Sequence, residues 1–171
     1  MPHPLVTQLR FARSEFRRGL AGVAEEEGVR RFRPINSLSW MVGHLAWQEH
    51  RYWLYRGQGR SELPVLDGLV GYGAPASTPP LGEMCAAWDE ATRLADPYLD
   101  ALTNADLTAR MTVDGRPHWE TIGTMVRRVT YHYFFHTGEA LAVRQLLGHT
   151  DLPEFVGDIG AEAPYEPETS A

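Results

Sequence analysis

The stretch Thr121-IGTMVRRVTYHYFFHTGEALAVRQLL-Gly148 decides the fold. Its apolar residues recur in steps of three and four (Ile122, Met125, Val129, then Ala140, Val143 and Leu147), the spacing that keeps side chains on one side of a helix. Gly148 is a natural stop, so the pattern predicts a long helix from about Thr121 to Leu147. His132 and His136 fall on the same stripe, where a bundle core expects Leu or Val. At i and i+4 both imidazoles can reach one metal ion, and imidazole suits zinc, nickel, copper and iron alike. The other reading makes them core histidines bonded to Tyr131, Tyr133 or backbone groups. The chain has seven histidines in 171 residues. Roughly 0.3 pairs at this spacing arise by chance, so a third ligand from elsewhere has to decide.

Three more helices can be read outward from this one. Pro4 to about Glu27 carries Leu5, Leu9, Ala12, Phe16, Leu20 and Val23 at helical spacing, with Gly28 as a stop. A second helix begins at the N-cap Ser37 and runs to Gly57. Residues Gly57 to Pro80 form a Gly- and Pro-rich loop of the length that serves function. A third helix covers about Leu81 to Leu102, and Pro97 predicts a kink or break near Asp96. Arg110 to Glu120 holds Asp114-Gly115, the signature of a tight hairpin. From about residue 150 the chain becomes an acidic, extended tail. The expected architecture is all-α: a four-helix bundle in one domain, residues 1–171. Its helices should run antiparallel, with the second and fourth as neighbours.

Composition narrows the function classes. Hydrophobic residues make up 43% and charged residues 22%, a globular balance. A net charge of −6 with no basic run argues against nucleic acid as a partner. All sixteen basic residues are arginine, which excludes a Schiff-base lysine and a phosphate-loop lysine. No apolar run reaches membrane-spanning length, and the N-terminus lacks the apolar core of a secretory signal. Cys85 is the only cysteine, so a reducing cytoplasm is the expected setting. In a helical stripe it reads as a small apolar residue, not a nucleophile.

His44 is the natural third ligand. It lies mid-helix beside Gly43, whose missing side chain admits another helix or a ligand, and shares a face with Met41, Gln48 and Tyr52. Glu139 can orient an imidazole or act as a base, and Gln48 can hold a metal-bound water. His50 sits in the charged run Glu49-His50-Arg51 and reads as surface. His3, His118 and His149 lie at element ends, with His118 a weaker candidate for supporting the site. A zinc-protease HExxH, di-iron Glu-x-x-His pairs, a GxSxG elbow and a GxGxxG turn are all missing from the sequence.

The segments Ser39-WMVGHLAWQE-His50 and Thr130-YHYFFHTGEALAVRQLLGH-Thr150, with the order of elements between them, resemble the DinB-like (YfiT-type) family of metal-binding four-helix bundles over nearly the whole chain. The resemblance implies a three-histidine site on His44, His132 and His136. It also implies a divalent metal, zinc or nickel most often, with open positions for water or substrate, and a homodimer. Characterised members of that family include transferases that use bacillithiol, mycothiol or glutathione, and a mycothiol-dependent maleylpyruvate isomerase. The isomerase carries a second domain, and its ligand set resembles His, Glu, His.

The expected function is therefore metal-dependent transfer of a low-molecular-weight thiol to a small electrophilic substrate. A metal-dependent hydrolase and a non-catalytic metal-binding or stress-response module are the alternatives. Gly57 to Pro80 would form the substrate mouth. Arg51, Arg127, Arg128 and Arg144 are candidates for holding carboxylates. Trp40, Trp47 and Trp53 crowd the second helix more than one core stripe can use, which favours a homodimer; packing under the long loop is the other use for them.

Overall fold

The computed structural model describes residues 2–166, so the last positions of the expected tail, 167–171, lie outside the described residues. Four long helices form the bundle: α1 (Pro4–Gly19), α3 (Leu38–Glu49, continuing as a π-helix over His50–Arg56), α5 (Leu81–Asp100) and α7 (Ile122–Leu147). Short helices α2 (Glu25–Gly28), α4 (Val65–Val70), α6 (Asn104–Thr108) and α8 (Ile159–Glu162) occupy the connections and the tail. Apart from one short hairpin the described chain is helical, the all-α bundle expected.

The boundaries follow local chemistry. Ser37 caps α3 by accepting from the Trp40 N–H, and Thr121 caps α7 through the Thr124 N–H. Gly148 closes α7 in the left-handed conformation, φ 93°. The cap of α5 comes from far away: Glu25 accepts from the Leu81 and Gly82 N–H groups at 2.6 and 2.9 Å. A carboxylate there also complements the positive end of the helix dipole. Asp114 and Gly115, both at positive φ, make the expected two-residue turn between β1 (Thr112–Val113) and β2 (Arg116–Pro117).

Three helix expectations need correction. The first helix ends at Gly19, because the chain turns through Gly22 at φ 79° before α2. Helix α5 continues through Pro97 to Asp100, so the break expected near Asp96 does not occur. The loop after α3 is not structureless but carries α4.

The expected antiparallel order holds for only half of the pairs. Ion pairs Arg10–Asp100, Arg13–Asp96 and Arg17–Asp89 set α1 antiparallel to α5. Trp40 near His136 and Gln48 near His132 set α3 antiparallel to α7. By contrast, Gly43 abuts Met84 and Gly57 abuts Tyr98, so α3 and α5 run parallel. Phe11 meets Phe134 while Gly19 packs on Thr137 and Leu141, so α1 and α7 do too. The result is an up-down-down-up bundle. A parallel neighbour requires a connection that retraces a helix, and residues 57–80 supply it.

A buried polar network ties the four helices together. Arg13 gives two hydrogen bonds to Glu49, both 2.7 Å, and one to Asp96 at 2.7 Å. Tyr133 donates to Glu49 at 2.8 Å, and Trp88 Nε1 donates to Tyr133 at 2.6 Å. Burial and the Glu49 charge push the Tyr133 phenol well above its usual range. With its charge bidentately matched, Glu49 can be fully buried. The tail crosses the outside of α1: Gly157 N–H donates to Glu15 at 2.8 Å and Gln8 donates to the Ala163 carbonyl at 2.9 Å.

Candidate metal centre

His44 on α3 meets His132 and His136 on α7, and one ring nitrogen of each lies within 4.8 Å of the others. His44 and His136 are buried and His132 is partly so. The three expected residues are thus brought together.

Each imidazole is held by its Nδ1. His44 Nδ1 meets the Val70 carbonyl, His132 Nδ1 meets Gln48 Oε1, and His136 Nδ1 meets Glu139 Oε2, each at 2.7 Å. A carbonyl and a carboxylate only accept, so Nδ1 of His44 and His136 carries the proton. Gln48 presents its oxygen to His132 in the same way. All three Nε2 atoms therefore keep a lone pair. The Nε2 atoms of His132 and His136 are 3.1 Å apart. Two lone pairs at that distance repel unless a cation lies between them. Bonds of about 2.0–2.1 Å at near-tetrahedral angles separate ligand nitrogens by roughly 3.1–3.4 Å, which agrees. The donor set fits a divalent ion, and the Nδ1 partners are the kind that fix tautomer and ring orientation at metal sites.

Burial depresses the basicity of these groups. Desolvation first of all lowers His44 to about 4 and His132 to about 3, the neighbouring imidazoles adding to the effect. Both rings are neutral at neutral pH, the state in which an imidazole can bind a metal.

Aromatic side chains grip His44 from two sides. Trp40 stacks on it at 4.5 Å between centroids, 11° between planes, and Trp47 at 5.1 Å and 26°. Trp47 is itself pinned through Nε1 to Asp67 at 2.7 Å. The third tryptophan, Trp53, is fully buried. The tryptophans of α3 are therefore used within the chain, and the dimer argument built on them loses its ground. Gly43 matters for the same ring: a Cβ there would lie 2.5 Å from Met84 Sδ and 3.0 Å from Val70 Cγ1. Its absence lets α4 come close enough for the Val70 carbonyl to reach His44.

A cleft of about 840 Å³ opens beside the cluster, lined by His44, Gln48 and His132 together with arginine and aromatic side chains. Among residues of the 57–80 connection, Tyr72 lines it. Cys85 does not; burial pushes its thiol up, the wrong direction for a nucleophile.

The remaining expectations divide. Gln48 meets His132 through its amide oxygen. Glu139 orients His136. His50, expected on the surface, is buried, and its Nε2 accepts from the Leu63 N–H at 3.2 Å, anchoring the loop. His118 accepts from the Glu120 N–H ahead of α7 and stands outside the cluster. His3 caps α1 by accepting from the Leu5 N–H. His149 joins Arg144 to Glu27. Arg144 is buried and donates to the Gly19 carbonyl, which removes it from the carboxylate-binding set.

The Val70 carbonyl could not have been found from sequence, since any residue carries one. Glu49 and Arg13 left only a weak signal: each is a charged residue beside an apolar stripe.

Among proteins of curated function, none matches the chain. The family model of the DinB superfamily matches residues 8–140, a span that contains His44, His132, His136 and every residue that orients them. The helix order, the histidine cluster and that match agree: the chain belongs to the DinB superfamily.

Proposed function

We propose that the protein is a metal-dependent enzyme in which His44, His132 and His136 hold one divalent ion, zinc or nickel. The proposed reaction transfers a low-molecular-weight thiol to an electrophilic small molecule. The observation that carries this reading is three imidazoles, each tethered by Nδ1, converging beside an open cleft with no fourth protein ligand in the cluster among the described residues. Structural zinc sites are closed by four ligands, whereas catalytic ones keep an exchangeable position. When bound, such an ion supplies the positive charge that keeps a thiol deprotonated near neutral pH.

The chain's own residues do the rest. Gln48, Glu139 and the Val70 carbonyl keep the three rings from rotating. Trp40 and Trp47 shield His44 from water. The cleft walls orient the electrophile. The attacking sulfur comes from the cosubstrate, since Cys85 lies outside the cleft. A lone cysteine supports a cytoplasmic setting. No helix among the described residues is long and apolar enough to cross a membrane.

A homodimer belongs to the same reading, on different ground from the tryptophans. Phe135 and Leu146 are exposed on α7, at 61% and 52%, with Gly138 and Ala142 between them. That uncharged stripe suits a second copy of the chain.

The test is a panel of thiols and electrophiles offered to metal-loaded and chelator-stripped protein. Transfer should need both metal and thiol, survive Cys85→Ala and fail in His44→Ala. Metal-dependent ester or amide hydrolysis without thiol transfer would replace this reading with a hydrolase. No turnover, with an ion that does not exchange, would replace it with a binding module.

A further inference from the structure

The cleft is a basic place on an acidic chain. Four arginines, Arg51, Arg56, Arg127 and Arg128, line it against one carboxylate, Glu120, although the net charge is −6. Glu120 is buried and takes Arg128 in a forked pair, Nε at 2.9 and 3.0 Å from its two oxygens. Arg128 is thereby neutralised and fixed, with Trp119 against its guanidinium at 5.1 Å.

The other three have no close carboxylate. The nearest ion-pair partner of Arg51 is Asp67, at 3.9 Å between two well-exposed side chains. Arg56 and Arg127 have no ion-pair partner among the described residues. Instead, the guanidinium of Arg51 rests on Trp47 at 5.3 Å and that of Arg56 on Tyr52 at 4.7 Å. Aromatic faces hold both planes in place while leaving their N–H edges unused.

The π-helical winding brings Arg56 there. In a continuous α-helix, the residue seven after Gln48 returns to its face, and that residue is Tyr55. The wider π turn, with i→i+5 bonds, postpones the return by one position. Gln48, Arg51, Tyr52 and Arg56 line the cleft, and Tyr55 does not.

We propose that the cleft binds an aromatic small molecule bearing at least two carboxylates, with Arg51, Arg56 and Arg127 taking the carboxylates and Tyr72 and Tyr131, whose ring faces are uncovered, the flat body. This rests on reading the cleft as the substrate site, and it names the substrate's charge and shape. Forked guanidinium–carboxylate pairs give both attraction and orientation. Three arginines already held or unpaired cost little reorganisation on binding.

The probes are benzene-1,3-dicarboxylate and its neutral diamide, titrated into metal-loaded and chelator-stripped protein by calorimetry. The dicarboxylate should bind at least about tenfold more tightly than the diamide in both forms, since a contribution to the metal is absent from the stripped one. Arg56→Gln and Arg127→Gln should each remove most of that preference while metal content stays at the wild-type level. Arg127 is exposed, so its variant folds whatever the fate of the other. Equal affinity for the two probes, or a preference unchanged in both variants, overturns the proposal. Carboxylate preference that depends on the arginines, in a protein without thiol transfer, upholds the clamp and removes the transferase reading. Thiol transfer indifferent to both arginine variants, with no preference between probes, removes the clamp alone.

Discussion

Gln48 and His132 are 84 positions apart in sequence, and their side chains meet at 2.7 Å across the α3–α7 interface. The amide oxygen fixes the proton of His132 on Nδ1 and leaves Nε2 as the inward atom. Gln48→Leu should therefore weaken metal binding by about 10- to 100-fold, the usual loss when such an outer partner is removed. Gln48→Glu keeps an acceptor and should restore most of it, whereas His136→Ala should abolish binding of the single ion per chain. Competition against a chromogenic chelator, with elemental analysis, measures all three. Equal metal content in wild type and His136→Ala would remove the site.

Acid should destabilise the metal-free protein. The folded-state values of His44 and His132, about 4 and about 3, lie below the ordinary 6.5. The unfolded chain thus binds protons first as pH falls, and the contribution is fully present above about 6.5 and lost on the way down to the folded values. For His44 the loss between pH 7 and 5 is on the order of 2 kcal/mol, less for the more exposed His132. Denaturant midpoints of chelated protein should fall over this range, and fall less in His44→Phe. A flat profile would contradict the burial of these rings.

The Arg13–Glu49 pair makes a different demand. Arg13→Met leaves the buried Glu49 without a cation and should cost about 3–5 kcal/mol, and Glu49→Leu, which leaves Arg13 with Asp96 alone, should cost less. The double substitution removes both charges and should cost less than the sum of the two. Additive losses in denaturant unfolding would mean that the pair is not coupled.

Light scattering should give the mass of two chains at micromolar concentration. Leu146→Asp, placed in the apolar stripe of α7 away from the histidines, should give the mass of one. A wild-type monomer would leave the stripe without a second copy to cover it.

Much of this arrangement is legible in the sequence, and the gaps have physical causes. Helices α3 and α7 announce themselves by periodicity and caps, and the inward His132–His136 pair follows from the same spacing. His44 needs that pair before it stands out. What stays hidden is contributed by residues whose partners lie on other elements. Glu49-His50-Arg51 reads as a solvated run, yet Glu49 is buried by Arg13 and His50 by the loop backbone at Leu63. The π winding leaves no pattern in residue types, so Arg56 is invisible as a cleft residue. Helix direction is hidden too, because periodicity says which face is buried and not which way the next helix runs.

The parallel pairing of α3 with α5 makes residues 57–80 a return path that cannot be shortened below the height of the bundle, about 30 Å for a 20-residue helix. Most loops are free to vary in length because only their ends are fixed. Here the middle is fixed as well, where Val70 serves His44 and Asp67 serves Trp47. Substitutions that leave both contacts alone are those of its outward side chains, such as Tyr72 at 91% exposure. A change there alters what the cleft admits without disturbing how the histidines are held, so selectivity can diverge between descendants of one frame while the frame itself stands still.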